Sequence, residues 1–183
     1  MDREKALAEL KARVKNPNLL KHSLAVEAIM RGLATVLRDN VEVWGLTGLL
    51  HDIDYERTAS DPSRHSIIGA EILEDLGLDS EIVYAVKAHN SYHGIERKRK
   101  IDKALYCADP VSGLITAAAL ILPSKRLADV TPDFVIRKMG EKNFAKGADR
   151  DQINSCREIG LSLEDFISVS LEAMKRISDQ LGL

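Results

Sequence analysis

Cysteine is scarce in this 183-residue chain, and the two present, Cys107 and Cys156, lie far apart with no CxxC spacing. That argues against a disulfide framework and against a thiolate zinc site. No apolar run approaches the ~20 residues of a membrane span, and the opening Met1-Asp2-Arg3-Glu4-Lys5 carries no apolar signal-peptide core. The expectation is a cytoplasmic protein with no membrane partner. An excess of one charge is missing too. With a formal net charge of -2 the chain has no global field to hold a polyanion, so a stable nucleic-acid complex is not expected. Aromatics are few at 4%, against 45% hydrophobic and 30% charged residues, the balance of an ordinary globular chain long enough to bury a core. Repeats, low-complexity tracts and linkers are absent, as is any sustained period-two alternation of β-branched residues.

What the chain has is helical periodicity. Ala6, Leu7, Leu10 and Val14 recur at helical spacing between Asp2 and Lys15, until Asn16-Pro17-Asn18 breaks the pattern. A second helix is predicted from about Asn18 to Leu37. A third, Val41 to Asp52, is apolar enough to be central. Asp61 and Pro62 read as the cap and first residue of a helix that Gly77 ends, and Ser80 opens another that carries His89. The basic segment Arg97-Lys98-Arg99-Lys100 precedes an apolar helix, Ile101 to Ala108, that delivers Asp109 before Pro110. Ser162-Leu163-Glu164-Asp165 resembles a capping box and opens a last helix to about Leu181. The predicted fold is all-α, one compact bundle over residues 1–183, with a core of about 18–122 and a helical C-terminal extension of about 123–183.

The chemistry-bearing residues follow an order: His22, then the adjacent pair His51-Asp52, then His65, His89 and Asp109. An imidazole nitrogen and a carboxylate oxygen from one stretch of backbone suit a borderline or hard divalent cation. Taken singly, each histidine reads as a core or boundary residue. Taken together, with His22 in mid-helix, His51-Asp52 ends a predicted helix, His65 opens one, His89 ends one and Asp109 lies just before a proline; at helix ends, side chains from several segments of a bundle can meet around one ion. Carboxylates in segments as apolar as those of Asp52 and Asp109 also need a partner or a metal to offset desolvation.

These residues, in this order and on a helical background, resemble the HD-domain superfamily of metal-dependent phosphohydrolases. His51-Asp52-Ile53-Asp54 is similar to the motif written HDIG, with Asp54 where glycine is usual, and the resemblance covers roughly Asn18 to Leu122. It implies that His22, His51, Asp52 and Asp109 bind a first divalent metal (Mn, Fe, Co, Ni, Zn or Mg). His65 and His89 resemble the extra ligands of the binuclear subgroup, with Asp52 bridging to a second ion. Asn90 stands where that subgroup often has a further histidine, so one ligand of the second metal is missing or weaker. The segment after His89, Asn90-Ser91-Tyr92-His93-Gly94, lacks the GYP signature of cyclic-dinucleotide phosphodiesterases, which argues against cyclic di-GMP.

The implied activity is phosphohydrolysis through a metal-activated water, with a nucleotide or other small phosphate ester as substrate and Asp52 at the catalytic centre. His93, four residues after His89, reads as a late ligand, a proton donor to the leaving oxygen, or an exposed side chain. Lys103 reads as a phosphate contact or a solvated lysine, and Arg97 to Lys100 as a guide for anions or a solvated loop. Two other functions compete: a non-catalytic HD-type module that binds a nucleotide or metal and signals through its C-terminal helices, and a helical interaction domain whose histidines are structural.

Overall fold

A computed structural model describes residues 1–183, which form helices and turns with no strand. Helix α1 (Arg3–Arg13) starts where the Asp2 side chain accepts the Lys5 N–H. Asn16 caps α2 (Pro17–Leu37) and Pro17 takes its first position, where a missing N–H costs nothing. Asn40 accepts from the backbone of Glu42 and Val43 to open α3 (Val41–Leu50). Seven consecutive residues of α3, Trp44 to Leu50, are buried, so it is the enclosed helix its composition predicts. After the short α4 (Tyr55–Thr58) come α5 (Ile67–Asp75) and α6 (Ser80–His89), separated by Gly77 at φ 71°.

Helix α7 (Lys100–Leu120) runs through Pro110 instead of stopping before it. Proline cannot donate to the carbonyl one turn earlier. Here Gln152 of α9 (Arg150–Asn154) donates its side-chain amide to the Tyr106 carbonyl at 3.4 Å and replaces that bond. Asp109 therefore projects from the middle of a long helix and not from a helix end. A second difference lies at Pro62. Residues 62–66 form turns, with Ser63 donating to the Asp61 carboxylate, and α5 begins only at Ile67. Ser66 sits at φ 68°, in the left-handed region, which prevents a helix from running through it. His65 thus belongs to a turn and does not open a helix.

The C-terminal part adds α8 (Pro132–Met139), α9, α10 (Leu163–Lys175) and α11 (Ser178–Leu181). Ser162 caps α10 as expected, its Oγ accepting from the Asp165 N–H and donating to the Asp165 carboxylate. The last helix is not continuous: Ile177 N bonds the Met174 carbonyl, the ladder tightens, and the helix restarts at Ser178. No helix is long and apolar enough to cross a membrane.

Apolar side chains gather in two clusters. One joins α2 and α7 to the C-terminal helices, around Leu33, Trp44, Leu114 and Phe166; the other joins α1, α3, α5 and α6, around Leu10, Leu49, Leu50 and Leu73. Helices α2 and α3 bind the clusters together, and they pack closely because Gly48 has no side chain. A Cβ there would lie 2.7 Å from the Val26 carbonyl oxygen. Alanine in a helix interior usually gains about 1 kcal/mol over glycine. At Gly48 that gain meets a backbone overlap, and overpacking costs about 1–3 kcal/mol. Gly48→Ala is therefore expected to lower stability in urea unfolding, and a rise in the midpoint would refute this close approach.

Candidate metal centre

The side chains of His22, His51, Asp52, His65, His89 and Asp109 meet in one space between the two clusters. His22 comes from the second turn of α2 and Asp109 from the middle of α7. His51 and Asp52 follow the last residue of α3, His65 stands in the turn before α5, and His89 is the last residue of α6. His22 Nε2 lies 3.2 Å from His51 Nε2, 3.1 Å from Asp109 Oδ1 and 3.6 Å from Asp52 Oδ2. His51 Nε2 is 3.5 Å from Asp52 Oδ2 and 3.8 Å from Asp109 Oδ1. The other oxygen of the same carboxylate, Asp52 Oδ1, faces His65 Nε2 at 3.4 Å and His89 Nε2 at 3.6 Å.

Most of these separations exceed a good hydrogen bond. Two atoms each about 2.1 Å from one ion stand about 3.0 Å apart at a right angle and about 3.4 Å apart in a tetrahedron; the observed separations run from 3.1 to 3.8 Å, so the ligand atoms need draw in by only a few tenths of an ångström. The far nitrogens give the same reading. His51 Nδ1 donates to the Gly48 carbonyl at 2.8 Å, His89 Nδ1 to the Val86 carbonyl at 2.5 Å, and His65 Nδ1 to Asp54 Oδ1 at 3.1 Å. Ser112 Oγ donates to the Asp109 carbonyl and so accepts from His22 Nδ1 at 3.0 Å. With all four protons on the outer nitrogens, four Nε2 lone pairs and two carboxylates converge with no positive charge among them. This donor set fits divalent metal ions, and the subsets His22, His51, Asp109 and His51, Asp52, His89 are each compact enough to hold one.

Protonation directions follow from the same crowding. Burial opposes protonating His22 and His89, but Asp109 on the first and Asp52 on the second outweigh it, and both pKa values are raised. Burial dominates at His51, which has histidines as near neighbours, and its pKa is lowered. Burial alone would raise the carboxyls. The imidazoles of His51, His89 and His22 instead hold Asp52 below the usual carboxylate range, and His22 does the same for Asp109. Both cysteines are buried with pKa values raised, which removes them as nucleophiles.

Two residues picked out in the sequence stand apart from the convergence. Lys103 lies six residues before Asp109, about 120° away round a helix of 3.6 residues per turn. Its Nζ approaches Glu158 Oε2 at 3.7 Å. His93, in the turn Ser91–His93, donates Nε2–H to the His65 carbonyl at 2.8 Å. Asn90 is a brace as well: its amide donates to the carbonyls of Pro62 and His65, and its oxygen accepts the Tyr92 N–H. Sequence reading did not find Ser112, because a serine two residues after a proline carries no signal until α7 is known to continue.

The centre is open on one side. The side chains of His22 and Asp109 keep 25% and 30% of their exposure, whereas His51 has none. Beside His22 a cleft of about 350 Å³ is lined by Asn18, Lys21, Ser112, Gly113 and Thr116. A larger hollow of about 710 Å³ between α2, α3 and α10 contains none of the convergent residues.

Comparison with known proteins finds relatives over much of the chain. The family model of the HD domain matches residues 19–120, more than half of the chain. An uncharacterized protein of Methanocaldococcus jannaschii is 35% identical over 157 residues, covering 80% of this chain and 88% of that one. Ribonuclease Y of Fusobacterium nucleatum is 27% identical over 180 residues, 96% of this chain but 35% of the enzyme. Ribonuclease Y of Thermosipho melanesiensis is 41% identical over 93 residues, 50% of this chain and 18% of the enzyme. The chain therefore spans about a third or less of these ribonucleases. No solved structure matches it.

In zinc-loaded protein, long-range ¹H–¹⁵N spectra are expected to show His22, His51 and His89 protonated on Nδ1 alone. An Nε2–H on His51 would contradict the inward lone pairs.

Proposed function

The chain belongs to the HD-domain family, and from that premise we propose that it is a metal-dependent phosphohydrolase acting on a nucleotide or another small phosphate ester. The observation that carries this reading is the two-sided environment of Asp52, whose oxygens each face a separate pair of imidazole Nε2 atoms. His22, His51, Asp109 and Asp52 Oδ2 would hold one divalent ion; His65, His89 and Asp52 Oδ1 would hold a second. Metal in such a site supplies Lewis acidity toward a phosphoryl oxygen and makes water acidic enough to give a nucleophile near neutral pH. Mn, Fe, Co, Ni and Zn suit a mixed imidazole and carboxylate set better than Mg, which prefers oxygen ligands.

The residues of the chain supply approach and placement. Substrate reaches the centre where His22 and Asp109 are exposed. The adjoining cleft offers Asn18 and Thr116 for hydrogen bonds and Lys21 as a cation. Lys21, directly before His22 in sequence, takes the phosphate-contact role that spacing gave to Lys103. His93 steadies the His65 turn in place of donating a proton.

A second reading has support of its own. Several of the relatives are ribonuclease Y, which favours a phosphodiester of RNA as the substrate. The net charge of -2 and the small cleft favour a mononucleotide or similarly small ester. Purified, tag-free protein should contain divalent metal. Assays with phosphomonoesters, mononucleotides, dinucleoside polyphosphates and a short oligoribonucleotide separate the two readings. Absence of turnover on all of them with metal bound would leave a non-catalytic module that binds metal or nucleotide.

Asp52→Ala removes the one carboxylate shared by both halves of the centre. It is expected to lose bound metal and more than about 100-fold of activity while keeping its helical circular dichroism. Full metal content and turnover in this variant would overturn the assignment.

A further inference from the structure

Asp54, two residues after the His51-Asp52 pair, stands where the similar HDIG motif has glycine, and its side chain is entirely buried. A buried carboxylate in an apolar setting is costly unless its oxygens are satisfied. Here both are. Oδ2 accepts the Ser66 N–H at 2.9 Å and the Gly69 N–H at 3.0 Å. Oδ1 accepts from His65 Nδ1 at 3.1 Å. Gly69 leaves room for the carboxylate, since a Cβ there would lie 3.1 Å from Asp54 Oδ1.

These bonds fix three things at once. Holding the Ser66 N–H favours the left-handed backbone of that residue, φ 68°, which turns the chain into α5. Accepting from Nδ1 places the His65 proton on the outer nitrogen. The Nε2 lone pair is thereby aimed at Asp52 Oδ1, 3.4 Å away. Tyr55 meets the His65 ring edge-on at 5.0 Å, and Asn90 and His93 both bind the His65 carbonyl, so the ring has little freedom to reorient.

We propose that Asp54 is a positioning residue that makes His65 a ligand of the second metal ion, by fixing its tautomer and its turn. The inference rests on the two-ion reading given under Proposed function. It assigns the weaker half of the centre to a carboxylate that touches neither ion. A carboxylate on the outer nitrogen also raises the basicity of the inner one, and loss of such a partner typically costs 10–100-fold in metal affinity.

The informative substitution is Asp54→Asn, which keeps the shape. Its amide oxygen still accepts from Ser66 and Gly69, but its NH₂ then faces His65 Nδ1 as a donor. His65 must accept there and carry its proton on Nε2, pointing into the centre. Titration of metal-free protein with Mn²⁺, with metal counted by mass spectrometry, is expected to show two ions in the wild type. In Asp54→Asn the first ion should bind as in wild type and the second at least 10-fold more weakly. ¹⁵N spectra should show the His65 proton moved from Nδ1 to Nε2. In a His65→Ala background the same substitution should cause no further loss of metal, whereas a purely structural role would lower both affinities in either background.

Two ions bound to Asp54→Asn with wild-type affinity would overturn the role of Asp54 alone. A wild type that binds one ion would overturn it together with the two-ion reading. The tautomer of His65 in the metal-loaded wild type tests the proposal even if the variant fails to fold: Nδ1–H supports it and Nε2–H refutes it.

Discussion

Four imidazole lone pairs and two carboxylates pointed at one small space repel one another, and the structure around them is organised to keep them there. Most of the atoms concerned are buried, so water does little to screen the repulsion. A cation relieves it. The carboxylates of Asp109 and Asp52 act the same way on a proton, raising the pKa values of His22 and His89 against the effect of burial. A divalent ion does the same with better geometry, because several lone pairs can address one centre while a proton is shared by two.

The convergence is built from outside inward. Each histidine is fixed through its outer nitrogen by a group that belongs to the scaffold: the Gly48 and Val86 carbonyls at the ends of α3 and α6, Ser112 on α7, and Asp54 next to α4. These anchors come from helices in both apolar clusters, so the centre is correct only when the clusters are docked. The tight approach of α3 to α2 at Gly48 sets that docking, and it places His51 against His22. Packing far from any polar chemistry thus decides distances within it.

Much of the local structure is legible in the sequence because it depends on neighbours a few residues away. The cap at Ser162, the stop at Gly77 and the apolar character of α3 all follow from short-range rules. The departures have tertiary causes. Pro110 reads as a helix stop, but Gln152 from a distant helix binds the carbonyl that proline leaves unpaired. Pro62 reads as a helix start, but Asp54 and a left-handed Ser66 hold a turn there. Lys103 reads as a phosphate contact or a solvated lysine, and the phase of a continuous α7 carries it round toward Glu158.

The order His22, His51-Asp52, His65, His89 and Asp109 in the sequence determined which residues could form a metal centre, and the helical pattern determined that they would arrive on a bundle. That much follows from residue chemistry and from periodicity. Tertiary structure alone decided how they meet: which oxygen of Asp52 faces which histidines, which nitrogen of each ring points inward, and which side of the site is open. Those properties depend on hydrogen bonds between residues as far apart as His22 and Ser112, and on the relative placement of helices joined only by packing. No local rule encodes them, since they exist only once the two clusters have closed on each other.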